Sequence, residues 1–162
     1  MKALIISFLF LTATPYCFAQ NNCNIKKAYA YYNESMPGAQ RADENGNPIN
    51  PKPIVTRFIY VEYSGSKMPE IKTVLYNNIQ LVFSVINVAT KKVSAGDKKL
   101  NPNNSIIAKK GNSFLKIDLQ PAEGQTMPEA NCKSIVINSK SAGKLCKYYV
   151  MGEKPFATPP MY

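Results

Sequence analysis

The chain alternates apolar and polar residues along much of its length, and many apolar positions carry β-branched or aromatic side chains. In the stretch SFLKIDL, Leu115, Ile117 and Leu119 fall on one face of an extended strand, whereas Lys116 and Asp118 fall on the other. Such alternation is typical of a strand with one buried face, because successive side chains point to opposite sides of a sheet. The pattern predicts eight short strands, over residues 25–32, 54–63, 71–76, 79–88, 105–109, 113–119, 133–138 and 145–151.

Turn-forming residues separate these strands, as in YNN at 76–78, KKGN at 109–112 and NSKSAG at 138–143. The sequence shows no helical period over three turns and no repeat of fixed length. Short strands joined by polar turns point to an antiparallel sandwich or a closed sheet. We therefore expect an all-β fold, an antiparallel β-sandwich of about seven to eight strands, immunoglobulin-like or a related Greek key.

The strand predicted over 54–63 is apolar on both of its faces. Ile59 and Val61 lie on one side, and Phe58 and Tyr60 lie on the other. The second face is either covered by a neighbouring segment or presented to solvent as an aromatic surface. We favour the covered alternative, in which a central strand lies beneath a loop or a chain terminus.

The first twenty residues, MKALIISFLFLTATPYCFAQ, consist of one lysine, an apolar run and a short polar stretch ending in a small residue. This order is typical of a secretory signal peptide, and we expect cleavage after Ala19. The apolar run of about ten residues is too short for a membrane span of roughly 20, and we expect no transmembrane segment. A lipoprotein signal at Cys17 is the alternative, but Thr14, Pro15 and Tyr16 match it poorly.

The end of the signal, FAQ followed by asparagines, resembles the signals of exported proteins from Gram-negative bacteria of the Bacteroidetes type. The resemblance implies a periplasmic or extracellular location and nothing about activity. We expect residues 1–19 to be the signal peptide and residues 20–154 to be a single β-sandwich domain. Residues 155–162 would form a proline-rich C-terminal tail, either an extended strap or a loose end.

The chain carries 20 basic and 10 acidic residues, a net charge of +10 that becomes +9 when Lys2 leaves with the signal peptide. This balance favours acidic partners such as polyanionic glycans, phospholipid headgroups or nucleic acid. Only Arg41 and Arg57 are arginines, and the other 18 basic residues are lysines. Because specific phosphate and base recognition relies on the arginine fork, this composition argues against nucleic acid. Lysines that only keep the surface soluble are the alternative.

Lysine doublets fall at predicted turns or strand ends, where hairpin tips could together form one basic end. Tyrosines within the strands could add sugar stacking, although strand tyrosines are more often core-edge residues. The predicted binding surface consists of Tyr60, Arg57, Lys109, Lys110, Lys91 and Lys92, with a third doublet at Lys98 and Lys99.

After signal cleavage three cysteines remain, an odd number in a compartment that permits disulfides. We expect Cys132 to pair with Cys146, because the residues between them read as a strand, a turn and a returning strand. Closing that loop of about 15 residues would contribute about 3 kcal/mol. Cys23 would then be a free thiol.

The chain contains no histidine, which excludes within it a Ser-His-Asp triad, a histidine metal centre and a histidine general base. Phosphate-binding and dinucleotide-binding glycine motifs are absent from the sequence, and so is a CxxC pair. A glycosidase would need only two carboxylates, but alternation places Glu62 and Asp118 outward among polar neighbours. We expect no catalytic residues and no cofactor.

The stretch ADENGNPINPKPI at 42–54 begins like a calcium loop, with Asp43, Asn45 and Asn47 at alternate positions. The sixth position is Pro48 instead of glycine, and the twelfth is Ile54 instead of glutamate. We therefore expect no metal. The segment predicts a turn at 45–46 and then a proline-stiffened connection that crosses from one sheet to the other.

These observations favour a non-enzymatic, exported interaction module that binds a protein or an anionic glycan. The alternatives are a carbohydrate-active enzyme that uses two carboxylates and a purely structural component of the cell envelope. Because small secreted sandwiches serve many roles, this expectation rests on fold-level analogy.

Overall fold

The computed structural model describes residues 23–35, 41–46, 48–49, 53–96, 105–128 and 134–156, and the signal peptide prediction lies outside them. The described ranges contain no apolar helix of membrane-spanning length. They form strands throughout and no helix, which confirms the all-β class. The strands are β1 (Ile25–Ser35), β2 (Arg41–Ala42), β3 (Pro48–Ile49), β4 (Ile54–Ser64), β5 (Glu70–Tyr76), β6 (Ile79–Val88), β7 (Lys92–Ser94), β8 (Ser105–Ile107), β9 (Asn112–Gln120), β10 (Ile135–Ser141), β11 (Lys144–Val150) and β12 (Lys154–Pro155).

Eight of these strands form one mixed sheet in the order β11-β10-β5-β6-β9-β4-β1-β12, and β1 and β12 are its parallel pair. The sheet curls at β6, whose first residues pair with β5 while Val82–Val88 pair with β9. The curl brings β11 back to β1, where the Tyr148 hydroxyl donates to the Lys26 carbonyl over 3.3 Å. All eight predicted strands are present, and β2, β3, β7 and β12 are additional short ones.

The main core fills the inside of the curl. β4 and β9 contribute alternate residues to it, among them Ile59, Val61, Leu115 and Ile117, all with no exposed surface. Full burial of one such side chain stabilises the fold by about 1.5 to 3 kcal/mol relative to an exposed position. The alternation predicted for 113–119 is therefore confirmed, with Leu119 also buried.

A second apolar layer covers the outer face of β4. There Phe58, Tyr60 and Phe114 form a run of aromatic contacts with centroid distances of 5.4 to 6.4 Å. The β7–β8 hairpin packs Val93 and neighbouring residues onto Phe114, and Phe156 packs on Phe58. The covered alternative is thus confirmed for Phe58, which is 9% exposed, while Tyr60 stays half-buried.

The connection between β1 and β4 contains the β2–β3 hairpin. The Asp43 carboxylate accepts from the Asn45 amide over 2.9 Å, and the Gly46 amide donates to the Asp43 carbonyl over 3.0 Å. Gly46 has a φ of +80°, so the predicted turn at 45–46 is confirmed. Asn47 lies outside the described residues. The predicted crossing between sheets is wrong, because β1 and β4 are antiparallel neighbours in the same sheet.

Cys146 forms a disulfide with Cys23, with their Cα atoms 5.9 Å apart. The predicted bridge from Cys146 to Cys132 is therefore wrong, and Cys132 lies outside the described residues. The hairpin register explains the error, since β10 places Ser139 opposite Cys146 and Ile135 opposite Val150. The hairpin therefore carries the start of β10 away from Cys146, whereas the curl brings the start of β1 beside it.

Candidate functional site

Four lysines line a concavity of about 340 Å³ where β1 begins and β9 follows a tight turn. We call it the lysine concavity, and it is lined by Lys26, Lys27, Lys109, Lys110, Glu62 and Asn112. All four lysines are exposed. Because its cations come from two separate segments of the chain, the site exists only when the sheet has formed.

Local backbone features place the two lysine pairs. A register shift between Ile25 and Lys27 leaves Lys26 with no opposite residue in β4, while Lys27 stands opposite Glu62. On the other side, the Asn112 amide donates to the Lys109 carbonyl over 2.9 Å. Gly111 supplies the positive φ of +87° in that turn, which non-glycine residues adopt at a cost.

Glu62 lies at the floor of the concavity and is 1% exposed. Its Oε1 atom accepts from the Lys109 backbone amide over 2.9 Å and from the Asn112 side-chain amide over 2.6 Å. Burial raises the pKa of the neighbouring Tyr29 phenol, and the charge of Glu62 raises that pKa further. The prediction that Glu62 points outward among polar neighbours is wrong, because the β7–β8 layer covers this face.

The doublet Lys91-Lys92 lies on the segment that pairs with the residues just before Lys109. The Ala108 amide, next to Lys109, donates to the Lys91 carbonyl over 2.8 Å, and Lys92 stands opposite Ile107 in the β7–β8 pair. Both lysines are exposed. The structure therefore brings two of the predicted doublets together, and Lys98-Lys99 lies outside the described residues.

Arg57 and Tyr60, the other predicted surface residues, do not join this site. Arg57 is 2% exposed and faces the core, with its Nε donating to Glu153 Oε2 over 3.1 Å and its guanidinium 4.8 Å from the Tyr76 ring centroid. Placing Arg57 on the binding surface was wrong, because a buried carboxylate on the core side neutralises it. Tyr60 lies in the aromatic layer, and burial raises its pKa.

Sequence reasoning missed Glu62, Asn112, Lys26 and Lys27. One signal was available, since Glu62 shares its strand face with Phe58 and Tyr60. If this face of the strand is covered, as predicted, all of its side chains should be buried, and Glu62 is one of them. The shift in the β1 register that exposes Lys26 and Lys27 together has no comparable signature in the sequence.

A larger open concavity of about 900 Å³ lies at the opposite ends of β4 and β9. Its lining includes Ile54, Leu119, Met127 and several prolines, and Glu34 is the one carboxylate among the described residues that line it. The buried carboxylates Glu62 and Glu153 lie on opposite faces of β4, since Glu62 alternates with the core-facing Arg57 row. These two carboxylates therefore do not face one another across a cleft.

Within the described ranges, no three residues of the types histidine, cysteine, aspartate and glutamate cluster as a metal site would require. Comparison of the chain with models of protein families, with curated proteins and with solved structures finds no match.

Proposed function

We propose that this protein is an exported, non-enzymatic binding module whose lysine concavity takes an acidic polymer, an anionic glycan. The observation that carries the proposal is the convergence of Lys26-Lys27, Lys91-Lys92 and Lys109-Lys110 around one end of the sheet. The four lining lysines, against Glu62 as the one carboxylate among the described lining residues, attract an anion over roughly a Debye length of 8 to 10 Å, and Lys91-Lys92 adds charge on the adjoining β7–β8 pair.

The shape and chemistry of the site favour a glycan over a protein surface. A concavity of about 340 Å³ admits a narrow chain, whereas a stable protein interface needs about 800 Å² of matched surface on each partner. The site offers ammonium groups and no arginine, and ammonium groups act as point charges toward sulfate or carboxylate alike. Recognition would then depend on charge density more than on the identity of each sugar.

The scaffold is suited to this role. We interpret the curled sheet as a β-sandwich, with β1, β4 and β9 facing β5, β10 and β11 across the core. Export to the periplasm or the cell exterior of a Gram-negative bacterium is part of the proposal, and the Cys23–Cys146 disulfide is compatible with an oxidising compartment.

Calorimetric titration with heparin as the acidic glycan and dextran as the neutral one tests the proposal. Heparin should bind with an affinity that falls as salt rises, and dextran should not bind. The variant Lys109→Glu/Lys110→Glu should lose at least about tenfold in affinity, which corresponds to about 1.4 kcal/mol.

The matched control is Lys72→Glu/Lys140→Glu, which makes the same change of net charge with two exposed lysines of β5 and β10. It should retain most of the affinity. Equal losses in the two variants would show a response to net charge alone, and the concavity would be rejected as the site.

A further inference from the structure

The C-terminal segment 152–156, here called the strap, lies along the free edge of β1. Lys154 and Pro155 pair in parallel with Tyr31 and Tyr32, and the Phe156 amide donates to the Tyr32 carbonyl over 2.7 Å. Pairing between β1 and the strap thus covers two residues of an eleven-residue strand. The strap holds its place by its side chains more than by its backbone.

One side chain of the strap enters the core side of the sheet. Glu153 accepts from Arg57 Nε over 3.1 Å, and its Oε1 accepts from the Tyr76 hydroxyl over 2.6 Å. The side chains of Arg57 and Glu153 are 1% and 4% exposed. A paired carboxylate at this depth is a specific contact, because an uncharged substitute would leave the guanidinium buried without its counter-ion.

A second side chain of the strap lies on the outer face. The Phe156 ring packs edge-on against Phe58 and Tyr31, with centroid distances of 5.0 and 5.9 Å. Residues three apart on an extended chain point to opposite sides, so Glu153 and Phe156 contact opposite faces of the sheet, at Arg57 and at Phe58 of β4. Lys154 and Pro155, which lie between them, are exposed.

The edge of β1 keeps a short stretch without a strand partner beside the strap, although β11 approaches its start, where the Tyr148 hydroxyl donates to the Lys26 carbonyl. Within the described ranges, the stretch from Ile25 to Ala30 pairs with no strand on the side away from β4. A concavity of about 280 Å³ lies between this edge and residues 150–154. Unpaired edges accept a further strand readily, because their backbone groups still need hydrogen-bond partners.

Arg57 also keeps hydrogen-bonding capacity that the strap does not use. Its Nη1 and Nη2 atoms are buried without a hydrogen-bond partner among the described residues. Buried donors without acceptors cost free energy. The strap therefore leaves part of the hydrogen-bonding capacity of its cleft unused, and an identical strap from another copy would leave the same part unused.

We propose that the cleft beneath the strap is a peptide-binding site for an extended segment carrying a carboxylate and, three residues later, an aromatic ring, and that its ligand is the strap of a second copy. This site lies apart from the lysine concavity and does not depend on the function proposed above. The chain itself supplies a segment with this pattern, EKPF at 153–156.

A second copy fits because exchange would conserve every contact of the strap. Gly152, with a φ of +74°, lies where the strap leaves β11, next to the exposed Met151. Opening there would release Glu153 and Phe156 together. The strap of another copy would then make the same ion pair and the same ring contacts, so exchange would cost association entropy and little enthalpy.

A labelled peptide of residues 151–162, titrated into the full chain, tests the site. Phe156→Ala in the protein weakens its own strap, so the peptide should bind this variant at least about tenfold more tightly than it binds the unaltered chain, whose strap competes at high effective concentration. Peptides carrying Glu153→Gln or Phe156→Ala should lose that affinity, and a Lys154→Ala peptide should keep it. Absence of binding to the folded Phe156→Ala protein, and to a folded Glu153→Gln protein, would overturn the peptide site.

Sedimentation of the full chain over a range of concentrations tests the second copy. The expected result is a dimer that increases with concentration and that an excess of the peptide dissociates. Dimers that persist in saturating peptide, or a monomer at every concentration despite peptide binding, would reject the second copy as the ligand.

Discussion

Two buried carboxylates on opposite faces of β4 mark two differently built regions. Glu62, on the outer face, accepts from two neutral donors, the Lys109 amide and the Asn112 side chain, below an open concavity. Glu153, on the core face, pairs with Arg57 and Tyr76, where little water enters. The first carboxylate orders a turn so that lysines can face solvent, and the second holds the strap against the core side of the sheet.

The difference shows how one strand can support two separate tasks. Because side chains of β4 alternate, Glu62 and the Arg57–Glu153 pair lie on opposite faces of the strand, although Phe156 of the strap also packs on Phe58 of the outer face. A change in one region should therefore leave the other intact.

The largest expected effect concerns the disulfide beside the lysine concavity. Cys23→Ser should lower the free energy of unfolding by about 5 kcal/mol, because the Cys23–Cys146 bridge joins residues 123 positions apart and so closes a long loop. Denaturant unfolding measures the loss, and hydrogen exchange should show the start of β1 opening before the strap does.

Cys132→Ser is the matched control, since it removes a cysteine and leaves Cys23–Cys146 intact. It should cost far less stability. A loss as large as that of Cys23→Ser would indicate that Cys132 takes part in the native bridge.

The second effect concerns the core-face carboxylate. Glu153→Ala should destabilise the protein by about 3 to 5 kcal/mol, because the Arg57 charge would remain buried without a partner. The double variant Arg57→Met/Glu153→Met should lose less, since both charges leave together. Urea titration of the two variants makes the comparison, and a loss from Glu153→Ala below about 1 kcal/mol would mean that water already solvates the pair.

Most strand positions were predictable, because seven of the eight predicted segments form strands of seven or more residues, long enough to show a period of two; the eighth, β8, has three. β2, β3, β7 and β12 have two or three residues each, too few for any period. The clustering of lysines at hairpin ends followed from turn chemistry. The segments that cover each face of β4 could not be predicted in this way, because alternation separates the two faces without identifying what packs on them.

Long-range pairs were the least predictable part of the site. Arg57 and Glu153 are separated by 96 positions and Cys23 and Cys146 by 123, and both pairs form only because the sheet curls. The sequence pattern placed Arg57, a charged strand residue, on the surface. It also paired Cys146 with Cys132, the cysteine nearest to it along the chain. Both assignments are reasonable locally, and tertiary packing overrode them.

The third effect concerns the outer-face carboxylate. Glu62→Ala should cost about 1 to 3 kcal/mol, because the Lys109 amide and the Asn112 side chain would lose their acceptor. The turn should loosen, and heparin affinity should fall while peptide binding at the strap stays unchanged. Glu62→Gln keeps an acceptor and serves as the control. A change in peptide binding in either variant would contradict the separation of the two regions.

The smallest expected effect is a pH dependence confined largely to the outer face. Burial raises the pKa values of Tyr29, Tyr31, Tyr60 and Tyr148, and Glu62 adds to the rise at Tyr29 and Tyr148. A raised folded pKa means that the native state holds the phenolic proton more tightly than the unfolded chain. The resulting stability is complete below the unfolded pKa of about 10 and is lost as pH rises through the folded values.

The free energy of unfolding should therefore fall above pH about 10. Ring resonances of labelled tyrosine, followed by NMR, report each titration separately. Glu62→Gln should move the Tyr29 titration toward its ordinary range because one of its two causes is removed, whereas Glu153→Gln should leave it in place. If Glu153→Gln shifted Tyr29 as strongly as Glu62→Gln, the two faces of β4 would be electrostatically coupled, and the division between the concavity and the strap would fail.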